Sequence, residues 1–302
     1  MANWDYDVAI VGAGPAGLTA GLHLRLAGQR AVVLEKEMFG GALQHTDRLD
    51  DYPGFPEGIS GAQLAGQMIE QATRQGVVLE QAEVSGIELF SRSRWVACSD
   101  GRGFSCGVVI LAGGMHATRL GLPNETRFLG RGVVDCTPCD GGFFVGKDVV
   151  IYGATDHALR DAVYLRDIGA RVTVLAPSPS VDASEEWVKR ASDIPLRLGV
   201  RLTGILGSDR VEAVRLEDGE ELATQGVLVR VGQKPNTREL EDIVELSEDR
   251  RVVVNGSLET SAPFVLACGD IRGGARTTVA SAVGDGANAA ARAVEILQPI
   301  VV

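Results

Sequence analysis

An apolar run at residues 7–11 ends in Gly12–Ala13–Gly14–Pro15–Ala16–Gly17, and a helical pattern follows from residue 18 to about residue 27. Each glycine of this G-x-G-x-x-G spacing has a physical job. The first permits a tight turn, the second lets the backbone approach a pyrophosphate, and the third lets helix and strand pack closely. The helix N-terminus then turns unsatisfied N–H groups and partial positive charge toward phosphate. A second apolar run at residues 31–34 closes with Glu35. Glu35 stands about 20 positions past the turn, where an acidic residue binds a ribose hydroxyl. The glycine pattern alone is weak. Strand, turn, helix, strand and acid in this order specify a βαβ dinucleotide site, against the alternative of a glycine-rich turn with no ligand.

The pattern restarts about 140 residues later. Residues 148–152 read as a strand, Gly153 as a turn, the stretch to about 168 as a helix stopped by Gly169, and 171–175 as the next strand. Residues 264–267 form a late strand that ends at Gly269–Asp270, and a small-residue helix runs from about 278 to 296. A chain of 302 residues suits two domains. The expected fold class is α/β, with two Rossmann-like dinucleotide-binding domains, the second inserted in the first. The crossings are expected near 111–122 and 235–240, which carry the Gly, Pro and Asn of linkers. The expected domains are 1–115 with 240–302 for FAD, and 116–239 for the insert. The first fingerprint of a two-unit chain is usually the flavin's. Asp270 supports FAD, since a carboxylate there can bind the ribityl or phosphate end of a flavin; its alternative role is a helix N-cap.

The five cysteines are Cys98, Cys106, Cys136, Cys139 and Cys268. An odd count with no signal peptide argues against a structural disulfide framework and for a cytoplasmic chain. Only Cys136–Thr137–Pro138–Cys139 has meaningful spacing. Such a pair closes to a disulfide or opens to a dithiol, and lowers the pKa of one thiol. Pro138 restricts the backbone between them, and Asp140 is placed to move protons. The alternative is half a zinc site, but no second Cys/His pair has the spacing for it, so no metal is expected. The other three cysteines lie beside apolar residues and read as buried, inert thiols. Net charge is −11, from 29 Lys+Arg against 40 Asp+Glu, with no basic run. Nucleic acid is therefore not expected as a partner. No apolar stretch reaches the ~18 residues of a spanning helix.

Together these residues resemble the low-molecular-weight thioredoxin reductase family, class II of the pyridine nucleotide-disulfide oxidoreductases. The likeness covers almost the whole chain. It rests on residues 12–17, Gly40–Gly41, Asp51–Tyr52–Pro53–Gly54–Phe55–Pro56 and Leu120–Gly121–Leu122–Pro123. It continues through Gly130–Arg131–Gly132–Val133, residues 136–141, residues 232–237, Gly269–Asp270 and the tail at 280–290, in the family's order. The resemblance implies an FAD enzyme, usually a homodimer, acting on a thiol or disulfide protein or a small dithiol. It implies that Cys139 faces the flavin, that Cys136 exchanges with the partner's disulfide, and that Asp140 is the acid/base. It extends the FAD-binding set beyond Gly12, Gly14, Gly17, Glu35, Gly269 and Asp270. The additions are Pro15, Ala16, Lys36, Gly41, Leu43, Asp51, Val84, Ala112, Gly113, Thr278 and Val279.

Two departures matter. Where the family has Gly-Gly-Gly-x-x-Ala, the second turn reads Gly153–Ala154–Thr155–Asp156–His157–Ala158. Thr155 puts a branched side chain where a pyrophosphate needs bare backbone, and Asp156 adds negative charge facing any phosphate. Ala176–Pro177–Ser178 replaces the His-Arg-Arg that holds the 2′-phosphate of NADP. In the flavin half, Ala42 stands where the family has Gln. The expectation is an FAD-dependent disulfide oxidoreductase whose electron partner is not NADPH: a ferredoxin-linked enzyme, a dithiol oxidase, or one with a second FAD in the second cleft. The competing readings are an NADPH-dependent thioredoxin reductase with altered contacts, and a non-catalytic redox sensor on the same scaffold.

Overall fold

The structure is a computed structural model that describes residues 4–46, 48–134 and 137–298, without the side chains of Pro138 and Cys139. The chain divides into two compact units, Met1–Met115 with Pro235–Val302, and His116–Lys234. Both are α/β.

The first unit opens with β1 (Tyr6–Val11), α1 (Pro15–Leu26) and β2 (Ala31–Glu35). Helix α1 begins at Pro15, ahead of the residue 18 expected from its apolar period, because proline lacks only an N–H that the first turn leaves unpaired anyway. Next come α2 (Gly61–Arg74), β3 (Val78–Gln81), β4 (Val84–Leu89), β5 (Arg94–Cys98) and β6 (Gly103–Leu111). A capping box starts α2: Ser60 Oγ accepts from Gln63 N at 3.2 Å and Gln63 Oε1 from Ser60 N at 3.4 Å. The sheet runs β3-β2-β1-β6-β5-β4. The first four of these pair in parallel, and β4, β5 and β6 form an antiparallel meander.

Strand β1 is apolar on both faces because both are covered. Val8 and Ile10 join Leu18 and Leu24 of α1 in one core, while Ala9 between them joins Val96 and Leu111 in the other.

The second unit begins within β7 (Met115–Ala117). It holds α3 (Thr137–Asp140), β8 (Asp148–Tyr152), α4 (Asp156–Asp167), β9 (Arg171–Ala176), α5 (Glu185–Arg190) and β10 (Leu196–Leu198). Strands β11 (Leu202–Leu206), β12 (Ala213–Leu216), β13 (Glu221–Ala223) and β14 (Gly226–Val229) complete it. A parallel sheet of order β10-β9-β8-β14 packs against a separate antiparallel sheet, β11-β12-β13. Val149 and Ile151 of β8 pack with Leu159 of α4, whereas Val150 and Tyr152 pack with Ile205 and Val214 of the antiparallel sheet.

After β15 (Gln233–Pro235) the chain returns to the first unit, adding β16 (Val265–Ala267) in parallel beside the end of β6, then α6 (Val279–Leu297). Among the described residues, no helix is long and apolar enough to cross a membrane.

Candidate active site

In the first unit the β1–α1 turn is shaped by three different glycine constraints. Gly12 has φ +107°, and a Cβ there would lie 2.3 Å from Ala112 O. A Cβ at Gly17 would lie 1.8 Å from Gly12 O, so the helix packs on the turn through bare backbone. Gly14 is different: a Cβ would meet nothing within 4 Å. The constraint at Gly14 is not packing, which is what a ligand-facing position requires. Gly14 is the N-cap of α1, with Pro15 behind it, no side-chain cap and no acidic residue in the first turn. The positive end of the helix is thus left for an outside anion.

The other predicted residues lie in the same unit, and some of them meet this turn. Glu35 ends β2, and its carboxylate accepts N–H bonds from Ala13 and Glu37, each at 2.8 Å. Lys36, next to it, is exposed. Gly40 N donates to Ala13 O at 2.8 Å, and the Cβ position of Gly41 is 3.1 Å from Gly14 Cα. A 3-10 turn at Gly41–His45 buries Leu43 in a small cluster with Ile59, Leu64 and Ala65, against which Val279 packs. Thr278 caps α6 by accepting from Ser281 N at 3.2 Å. Ala112 N donates to Val11 O at 2.7 Å, and Gly113 O accepts from Asn236 Nδ2 at 2.6 Å. Val84 begins β4 opposite Cys98, and Asp51 lies exposed on a turn.

Asp270 does not cap a helix. It sits in a 3-10 turn, Gly269–Ile271, where burial pushes its carboxyl up and nearby Arg251 opposes that rise. Gly269 has φ +73°, and a Cβ there would lie 3.0 Å from Ala16 Cβ, so this turn abuts the first turn of α1.

Sequence reasoning missed what holds this turn. Asp285 of α6 accepts from Gly269 N at 3.0 Å and takes both Nε (2.6 Å) and Nη2 (2.8 Å) of Arg272. Gly286, the next residue, lets α6 touch α1: a Cβ there would be 2.2 Å from Ala16 O. The visible signal was an acid set between Gly284 and Gly286 in an otherwise small-residue helix. A helix terminus without its own cap, a carboxylate at the end of β2 and a second carboxyl at the Gly269 turn fit the pyrophosphate, ribose and flavin-side groups of FAD. FAD, when bound, supplies a ring that carries one or two electrons.

The second unit carries the CxxC. Cys136 lies outside the described residues, as does the side chain of Cys139; the backbone from Thr137 to Asp140 is helical. Asp140 is half-buried and leads into a second turn, Gly141–Phe144. The remaining cysteines, Cys98, Cys106 and Cys268, are free and buried. Burial pushes the Cys106 thiol up to about 12 and raises Cys98 and Cys268 as well, which leaves them poor nucleophiles.

The β8–α4 turn of this unit is closed by its own chain. Gly153 keeps the glycine constraint, with φ +146° and a Cβ position 2.1 Å from Arg230 O. Thr155 caps α4, its Oγ1 accepting from Ala158 N at 3.4 Å. Residues 182–184 cross the same helix end. Asp182 N donates to Ala154 O at 2.9 Å, Asp182 bridges Thr155, and Ser184 N donates to Asp156 Oδ1 at 2.6 Å. His157 leans down the helix toward Asp161, with Nε2 3.7 Å from Oδ2. Burial lowers its pKa, against the pull of Asp161.

An FAD-type dinucleotide fold interrupted by a second, CxxC-bearing α/β unit defines a flavin-dependent disulfide oxidoreductase. Sequence and structure comparisons give the family: the chain belongs to the pyridine nucleotide-disulphide oxidoreductases, whose sequence model matches residues 6–286. It is 37% identical over 275 residues to a thioredoxin reductase of Mycolicibacterium smegmatis, covering 88% of each chain. It is 34% identical over 294 residues to the bifunctional thioredoxin reductase/thioredoxin of Mycobacterium leprae, covering 94% of this chain and 64% of that longer relative. A thioredoxin reductase from Lactococcus lactis superposes with a TM-score of 0.87 at 30% identity, over 97% of this chain and 99% of that one.

Proposed function

We propose that this FAD enzyme exchanges electrons between the Cys136–Cys139 pair and a thiol or disulfide partner, and that its other electron partner is not NADPH. The observation that carries the second half is the closed end of α4. A nicotinamide dinucleotide needs its pyrophosphate at that helix terminus. There Thr155 Oγ1 takes the Ala158 N–H and Asp156 holds the crossing segment through Ser184 N. A phosphate would have to displace both and sit beside the Asp156 carboxylate. No guanidinium follows β9, where Pro177 and Ser178 stand. The same contacts weigh against a second FAD, so one flavin per chain is expected. A ferredoxin-like protein or oxygen remains as the other electron partner.

Fed by a ferredoxin-like donor the exchange runs toward partner reduction, as follows; with oxygen as the acceptor the same steps run in reverse and the partner dithiol is oxidised. A Cys136 thiolate attacks the partner disulfide, and one partner sulfur leaves as a thiolate. Cys139 then attacks the mixed disulfide, forming the Cys136–Cys139 bond and releasing the partner as a dithiol. Asp140 carries the protons. Phe143 and Val145, 71% and 58% exposed, follow the dithiol closely in sequence. Their apolar surface supports a protein partner over a small dithiol. Homodimer assembly, implied by the resemblance, belongs to the same reading.

Anaerobic mixing with excess NADPH is expected to leave the flavin band unbleached, while dithiothreitol or dithionite bleaches it. Rapid bleaching by NADPH would restore the conventional thioredoxin reductase reading.

A further inference from the structure

Among the described residues of the second unit, one charged pair is sealed from water beside the CxxC helix. Arg230 follows β14 directly, and Asp161 lies on α4. Arg230 Nε donates to Asp161 Oδ2 at 2.6 Å, and the two side chains are 5% and 9% exposed. Nη1 donates to Val229 O at 3.1 Å. Nη2 reaches Thr137 Oγ1 at 3.4 Å, and Thr137 is itself 2% exposed. The backbone of Arg230 is also fixed, since its carbonyl abuts Gly153. Apolar residues of equal volume often replace a buried ion pair without loss of stability, so stability is a weak reason for this one. Its position is more telling, because Thr137 is the residue between Cys136 and Pro138.

We propose that Arg230, oriented by Asp161, is a positioning residue of the redox centre: it anchors the first turn of α3 and holds a permanent positive charge at Thr137, the residue that follows Cys136 in sequence. This rests on the reading that Cys136 and Cys139 are that dithiol. Asp161 binds the Nε side of the guanidinium, which leaves the Nη2 edge turned to Thr137. A cation there favours the thiolate, which is the nucleophile and the better leaving group. The other titratable groups near this pair are Asp140, which ends α3, His157, whose Nε2 lies 3.7 Å from Asp161 Oδ2, and Tyr164, which lies against Gly141 just after α3. His157 is held toward its neutral form by burial, so the guanidinium is the fixed positive charge of the set.

The test is the pH profile of iodoacetamide alkylation of the pre-reduced enzyme, followed at Cys136 and Cys139 by peptide mass. Arg230→Met alone strands a buried carboxylate, so Arg230→Met/Asp161→Leu is made beside it to keep a folded comparison. Arg230→Lys tests charge without the planar fork. The double variant is expected to react roughly five- to tenfold more slowly at neutral pH, with its rising limb moved to higher pH. Arg230→Lys should lie between the two. Profiles that superimpose on the wild type in folded variants would overturn the proposal. A wild type whose Cys136 and Cys139 never cycle between dithiol and disulfide would overturn the underlying reading instead, and the proposal with it.

Discussion

Gly14→Ala is expected to fold like the wild type and to purify almost free of flavin. Gly14 has φ −74°, which alanine adopts without strain, and its Cβ position is open to 4 Å. Nothing in the chain resists the methyl group. A ligand drawn against the backbone at this point would meet it. Loss of one charge-assisted N–H contact costs about 2–3 kcal/mol, or roughly 30- to 150-fold in affinity. Gly17→Ala makes the contrast, because its Cβ would sit 1.8 Å from Gly12 O. Helix α1 must then lift from β1, at a cost of about 3 kcal/mol or more. Circular dichroism and thermal melting of the cofactor-free proteins separate the two outcomes. If Gly14→Ala retained full flavin, the open side of the turn would not be the ligand side.

Cys139→Ser is expected to retain flavin and to lose multiple-turnover dithiol–disulfide exchange by at least ~1,000-fold, because a serine hydroxyl is a far weaker nucleophile and cannot close a disulfide. Flavin content is unaffected in this reading, since the residues that fit FAD all lie in the other unit. Unchanged turnover would favour a scaffold in which the pair has no catalytic role.

What could be read from sequence was whatever a ligand or a repeating period imposes locally. The apolar run of β1, the glycine turn, α1 and Glu35 are contiguous, and each residue type answers to one demand of a dinucleotide. The α/β class followed from their repetition at Asp148–Tyr152 and Arg171–Ala176. Strands β4 and β11–β13 were not legible. Exposed polar residues interrupt them, and their pairing partners set their register.

Contacts between distant residues were also invisible. Arg230 and Asp161 are 69 positions apart, and neither has a local pattern that names the other. Sequence did mark Thr155 and Asp156 as hostile to phosphate. It could not show that residues 182–184 return to cover them, because a loop's path depends on where β9 delivers it. The Gly269–Asp270 turn was read without its support, since Asp285 lies 16 positions away on another element.

A paired sulfur centre working with bound FAD is most directly counted in electrons. Anaerobic dithionite titration of the purified, oxidised protein should consume about four electrons per chain, two for the flavin and two for the disulfide. Cys136→Ser/Cys139→Ser should consume about two. A wild type that is fully reduced by two, or that carries no flavin to titrate, would contradict the assignment.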